Sequence, residues 1–246
     1  MIYESDEPLS DSDHLLSVLA INDARPGSPL LVAAVEFVAH LSGALFWEQE
    51  RLLVVSDLHL EKGSSFATRG VLLPPYDTQA TLARLATVVA HYDPRIVIAL
   101  GDSFHDPDAH QRLSAPDREA LSALQARRDW IWISGNHDPA LPCDLGGVVA
   151  TEVALGGIAF RHEPTGEVGE IAGHLHPKAR VSTRGRSMER RCFASDGERT
   201  VMPAFGAYAG GLSIRDRAFA RIFSTDFVAH VLGDSRMHAI AASRCC

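Results

Sequence analysis

The sequence predicts an α/β protein with parallel βαβ units in its first half and antiparallel hairpins in its second. Three observations carry this expectation. Apolar runs at 52–55, 96–100 and 130–133 have the length and residue content of buried strands, and each leads straight into polar residues. Segments of helical period lie between them, which makes a βαβαβ succession and calls for parallel pairing. After residue 137 the spacing shortens: 26 residues separate Asn136 from His162 and 12 separate His162 from His174, too few for a helical crossover. Two sheets packed together with helices outside fit this order.

Taken along the chain, residues 1–28 are polar, interrupted by Pro8, Asn22, Pro26 and Gly27, and are expected to form a mobile tail. Residues 29–246 are expected to form one domain, since the chain is large for one unit and small for two. Leu45-Phe46-Trp47 and the run at 52–55 flank four polar residues, the pattern of a tight antiparallel pair. Pro74-Pro75 breaks the chain and Asp77 or Thr78 can cap a helix. Leu82, Leu85, Ala86 and Val89 then fall at i, i+3, i+4 and i+7. Pro116 marks a second helix start, with Leu121 and Leu124 on one face. Gly156-Gly157 and Asp196-Gly197 are tight-turn dipeptides between apolar or β-branched runs.

Composition narrows the class. Hydrophobic residues at 46% and charged residues at 22% are ordinary for a globular chain, and no apolar run approaches the ~20 residues of a membrane span. The N-terminus is acidic and lacks the basic start and apolar core of a secretion signal, so a cytoplasmic protein with no membrane partner is expected. Cys143, Cys192, Cys245 and Cys246 show no metal spacing and read as reduced thiols. A net charge of −8 argues against broad adhesion to nucleic acid but leaves room for a local basic face.

The residues at the strand ends carry chemistry. Asp57 and His59 follow the first run, and in an extended chain an i, i+2 pair shares a face. Alone, Asp57 reads more readily as a strand-end carboxylate capping a turn than as one of a ligand pair. The arrangement then recurs as Gly101-Asp102, Gly135-Asn136-His137-Asp138, a strand ending in His162, and Gly173-His174-Leu175-His176. An unrelated crop drawn from twelve histidines would also have to set Asp57, Asp102 and Asn136 at strand ends.

This ordered set resembles the calcineurin-like metallophosphoesterase family. The resemblance implies the family's two-sheet αββα sandwich and a dinuclear centre. Asp57, His59 and His176 would hold one divalent metal ion, Asn136, His162 and His174 the other, and Asp102 would bridge them. Two ions ~3.5–4 Å apart neutralise phosphoryl charge and supply a metal-bound hydroxide as nucleophile. Nitrogen and oxygen donors without thiolate suit Mn²⁺, Fe or Zn²⁺, and the resemblance favours Mn²⁺. His137 would transfer a proton or bind the phosphoryl oxygen near the leaving group. Asp138 either orients His137 or caps the turn before Pro139. His105 either supports the site from the loop after Asp102 or is a surface histidine.

Substrate is not set by these ligands. The runs at 56–63 and 73–78, Gly173 to Pro177, Arg191-Cys192-Phe193 and 202–212 resemble the ligase-associated DNA damage response branch of the family. That implies a DNA endonuclease in repair, with a DNA ligase and a helicase as functional associates and an oligomeric state left open. Glu61 stands where this resemblance leads one to expect glycine, and Ala209 where it leads one to expect threonine. Arg180, Arg184, Arg186 and Arg190 lie in a locally basic stretch that reads as a phosphate track or as a solvated hairpin. Phe205 and Tyr208 read as base-stacking groups or as core beside a glycine turn. The alternatives are a phosphoesterase acting on a nucleotide or another small phosphorylated metabolite, and a non-catalytic scaffold, against which the intact ligand set counts.

Overall fold

The computed structural model describes residues 27–246 except Pro75, Arg184, Gly185 and Thr225, and leaves out the side chains of Cys143, Thr183 and Arg186. The expected tail falls, up to residue 26, outside the described residues. Gly27 and Ser28 already pair with His40 and Ala39.

The first sheet runs, in spatial order, β1 (Gly27–Val32), β2 (Val35–His40), β3 (Leu45–Trp47), β4 (Leu52–Val55), β5 (Ile96–Leu100), β6 (Asp129–Ile133) and β7 (Val148–Ala150). Neighbours are antiparallel as far as β4 and parallel from β4 to β7. Alternation explains the unbroken apolar run of β4. Leu53 and Val55 pack toward the helices, while Leu52 and Val54 pack toward the second sheet, so both faces are dry. Helices α1 (Lys62–Thr68), α2 (Asp77–Tyr92), α3 (Ala109–Arg112) and α4 (Ala115–Gln125) all belong to this half. Helix α4 begins as expected, with the Ser114 hydroxyl accepting from the Asp117 amide and Leu121 and Leu124 buried. In α2 the buried stripe takes Val88 rather than Ala86, which faces solvent. Neither Asp77 nor Thr78 caps α2, because both side chains are occupied with the chain after His59: the Gly63 amide donates to Asp77 (3.0 Å) and the Glu61 amide to Thr78 (2.8 Å).

The second sheet has the order β15-β14-β12-β13-β10-β9-β8, with β11 paired to β12. Its strands are β8 (Glu152–Leu155), β9 (Ile158–Arg161), β10 (Glu170–Ala172), β11 (Lys178–Thr183), β12 (Arg186–Ser195), β13 (Thr200–Val201), β14 (Val228–Leu232) and β15 (Met237–Ala241). The β8–β9 and β12–β13 hairpins turn at the expected glycines. Pairing is largely antiparallel, with one departure: β9, β10 and β13 are mutually parallel. Strand β10 has three residues, roughly 10 Å of chain, so a loop at 162–169 can return to its start without a helix. Buried Glu170 shapes that loop, accepting from the Thr165 amide (2.9 Å) and the Gly166 amide (3.3 Å) and pairing with Arg161 (3.2 Å).

The sheets meet through Leu52, Val54, Ile98, Leu100 and Ile133 on one side and Ile158, Phe160, Ile171 and Phe193 on the other. The outer face of the second sheet is covered by Ile214, Phe219, Phe223 and Phe227. Among the described residues these come from irregular chain containing one 3-10 turn rather than from an α-helix.

Candidate metal centre

The carboxyl ends of β4, β5 and β6 lie side by side, and the chain leaves the first two through left-handed backbone. Asp57 (φ 54°), His59 (φ 44°) and Asp102 (φ 44°) have positive φ, as do His174 (φ 69°) and His176 (φ 47°) after β10. In a non-glycine residue this costs about 1–2 kcal/mol, and it persists only where surrounding contacts impose it. The expectation that Asp57 and His59 share a face by strand alternation is thereby corrected. Strand β4 stops at Val55, and a turn brings the pair together.

Hydrogen bonds between loops offset that strain. His59 N donates to Asp102 O (2.9 Å), Leu60 N to Ser103 O (2.9 Å) and His105 N to Leu60 O (3.0 Å). The His174 amide donates to the Asp57 carboxylate (3.1 Å), and the His137 amide to Asp102 Oδ1 (2.8 Å). Two glycines permit the approach. A methyl at Gly135 would overlap the Asp102 amide and carboxylate, and one at Gly173 would overlap the Ser56 hydroxyl and the Asp57 carboxylate.

Two groups of ligand-type atoms result, each with its members within 4.8 Å of one another: Asp57, His59 and His176, and Asp102, His162 and His174. In the first, His176 Nε2 is 3.0 Å from Asp57 Oδ1 and 3.4 Å from His59 Nε2. In the second, His162 Nε2 is 3.2 Å from His174 Nδ1, 3.4 Å from Asp102 Oδ2 and 3.0 Å from Asn136 Oδ1. Carboxylates link the two groups: Asp57 Oδ1 is 3.0 Å from His176 Nε2 and 3.8 Å from His162 Nδ1, and the Asp102 charge reaches His59 as well as His162.

The donor set fits a cation. His162 Nδ1–H donates to the Leu100 carbonyl (2.9 Å), which leaves Nε2 presenting a lone pair to the oxygens of Asn136 and Asp102. Acceptors converging in this way repel unless positive charge lies among them. The metal-free protein meets the need with a proton: burial works against a charged His162, but the Asp102 and Asp57 carboxylates outweigh it and push the ring up to about 9. Burial would raise Asp102, yet the His162 contact drives it down to about 2. His59 goes the other way, chiefly through burial, down to about 3, and is neutral as a metal ligand must be.

His137 donates from Nδ1 to the His105 carbonyl (2.8 Å), which leaves Nε2 for another partner. Asp138 does not orient it. That carboxylate is buried and accepts from the amides of Gly135 (3.0 Å) and Phe104 (3.0 Å), tying the loops after β5 and β6 together, and burial raises it to about 6. His105 is buried rather than a surface histidine, and burial, then Lys62 and His137, lower it to about 4. With His59 and His137 it forms a third group of the same span.

The basic stretch does not make one track. Cross-strand pairing of Arg180 with Glu189 and of Ala179 with Arg190 puts Arg180 and Arg190 on opposite faces of the β11–β12 ribbon. Arg180 lies 3.7 Å from Glu189, and Arg190 lies 3.2 Å from Asp234. Arg184 and the Arg186 side chain fall outside the described residues. Phe205 is core, whereas Tyr208 is exposed.

Sequence reasoning gave no site role to three contributors, reading Thr78 as a helix cap and Ser56 and Lys62 only as parts of a motif run: the Ser56 hydroxyl donates to Asp57, Thr78 holds Glu61, and Lys62 is close enough to His105 to act on it. Their partners lie on other segments or, for Ser56, depend on a turn, and periodicity carries no trace of either. The Glu61 departure does have a local reading. Its φ of 63° is the conformation glycine adopts freely, and here the Thr78 hydroxyl, donating to the Glu61 carboxylate at 2.9 Å, helps hold it.

Paired His/Asp groups at the carboxyl edge of a parallel sheet, completed by loops of a second sheet, define a metal-dependent phosphoesterase. The calcineurin-like phosphoesterase family model matches residues 50–216. The chain belongs to that family. Among solved structures it is similar to the nuclease MPE of Pseudomonas putida, at 26% identity and a TM-score of 0.66, over 87% of this chain and 100% of that one. It also matches Yfce, a phosphoesterase from E. coli, at 14% identity and a TM-score of 0.39, over 78% of this chain and 98% of that one, a likeness too remote to argue from. No curated protein matches the sequence.

Proposed function

We propose that this phosphoesterase is a DNA phosphodiesterase, an endonuclease serving DNA repair. The observation that carries the reading is the pair of His/Asp groups side by side, with Asp57 within 3.0 Å of His176 and 3.8 Å of His162. Similarity to a nuclease over that protein's whole length supports the substrate, as do the motif runs that resemble PdeM, the ligase-associated DNA damage response endonuclease. In this reading a DNA ligase and a helicase are its functional associates.

Asp57, His59 and His176 would hold one ion and Asn136, His162 and His174 the second, with Asp102 shared between the two sets, Mn²⁺ being the favoured metal and Fe or Zn²⁺ the alternatives. Such ions supply charge neutralisation on the phosphoryl oxygens and a nucleophile at neutral pH. With Nδ1–H held by the His105 carbonyl, His137 would protonate the departing oxygen from Nε2 as the imidazolium, the form in which both ring nitrogens are donors. Lys178 and Arg180, on the face of the β11–β12 ribbon opposite Arg190, contact phosphates beyond the scissile one.

One observation favours a small phosphorylated substrate instead. Arg180 and Arg190 both have acidic neighbours, which limits free positive charge for a long polyanion. A panel of linear and nicked duplex, single strands and a small aryl phosphodiester decides between them. The DNA reading expects cleavage of DNA with a salt slope that Lys178→Gln with Arg180→Gln flattens, by about 0.9 per duplex phosphate lost, while aryl ester turnover holds. Turnover of the aryl ester alone would support the small-substrate reading.

A further inference from the structure

His59, as ligand, and His137, as proton donor, have different tasks in the proposed reaction, yet both touch His105. That residue is buried. Its Nδ1 lies 3.4 Å from His59 Nδ1, at the long end of hydrogen-bond range. Its ring stacks on His137 (5.1 Å between centroids, 23° between planes) and on Phe66 (5.6 Å, 29°). Its backbone is fixed by the bond to Leu60 O (3.0 Å), and its carbonyl accepts from His137 Nδ1.

The protonation of His59 follows from counting. Nε2 of His59 faces His176, the direction of the first group, so it must carry the lone pair. A neutral imidazole has one N–H, which is then on Nδ1, and the atom facing it is His105 Nδ1. A ligating histidine needs such an acceptor to fix its tautomer and orientation. We propose that His105 is a positioning residue that accepts the His59 Nδ1 proton and so holds the His59 lone pair on the first metal position, while its ring and carbonyl hold His137. This rests on His59 being a ligand and His137 the proton donor. His105 is then protonated at Nε2.

Two side-chain replacements separate acceptor from stack. His105→Phe keeps an aromatic ring against Phe66 and His137 and keeps the backbone carbonyl, but offers His59 no acceptor. His105→Asn places Oδ1 about where Nδ1 stood and loses the stack. Titration of the metal-free protein with Mn²⁺, followed calorimetrically, should show His105→Phe losing about 10–100-fold in affinity for one of two ions, with the other unchanged, and His105→Asn recovering most of that affinity. His59→Ala serves as the control. If His59→Ala loses an ion while His105→Phe binds both like wild type, the positioning role is overturned and the ligand assignment stands. If His59→Ala itself binds both ions normally, the ligand reading fails and the positioning role fails with it. A measurement on the unaltered protein guards against variants that do not fold. In the zinc-loaded form, ¹⁵N shifts of the imidazoles should show His59 protonated at Nδ1 and His105 at Nε2, and a proton on His105 Nδ1 would refute the proposal.

Discussion

Loading the second metal position at pH 7 should expel a proton from His162. In the metal-free protein burial opposes charge on this ring, but Asp102, 3.4 Å from Nε2, and then Asp57 raise it to about 9. At pH 7 the ring is therefore predominantly protonated, and a metal ion must displace that proton to reach Nε2. Apparent affinity at this position should rise about tenfold per pH unit below 9, and stand roughly 100-fold below its limit at pH 7. Stability of the metal-free protein moves the opposite way. A folded-state value above the usual 6.5 contributes stability that is fully present below pH 6.5 and lost as pH rises through 9, roughly 3 kcal/mol for a ring this buried. Asp102, depressed to about 2 by the same contact, reports the same interaction and is not counted twice. Mn²⁺ titration in two buffers of different ionisation enthalpy gives the proton count, and thermal melts of metal-free protein from pH 6 to 9 give the stability limb. Affinity flat from pH 6.5 to 8.5, with no proton released, would mean that His162 carries no proton for the metal to displace.

Asp102→Ala should abolish turnover and weaken both ions more than any single terminal ligand change does, which metal analysis after gel filtration checks; retention of both ions removes Asp102 from the bridge. His137→Ala should keep its metal and lose roughly 10²–10⁴ in kcat, and parallel loss of metal would make His137 a ligand. Gly135→Ala forces a methyl into the Asp102 amide and carboxylate and should cost about 1–3 kcal/mol in denaturant unfolding together with weaker metal binding; a wild-type midpoint would mean the loop yields freely. Thr78→Val removes the hydroxyl that accepts from the Glu61 amide and donates to its carboxylate, and should destabilise by about 1–3 kcal/mol, read as a lowered Tm.

Much of the molecule was legible from residues in order. Apolar runs end where strands end because burial on both faces leaves no room for polar groups, and Asp57, Asp102, Asn136 and His137 fall just beyond those ends. Chain order likewise separates the helical first half from the hairpins of the second, since a crossover helix needs more chain than the later gaps provide. Tertiary structure alone decided how the ligand atoms meet. Asp57 and His59 converge through left-handed backbone that neither residue favours by itself, and bonds from the Asp102 loop and the His174 amide hold it there. Local pattern registers what a residue prefers, not what contacts from remote segments compel it to adopt. The same limit hid the parallel β9–β10 pair, made feasible by three-residue strand length, and the two-faced ribbon that parts Arg180 from Arg190, because register is fixed only when strands pair.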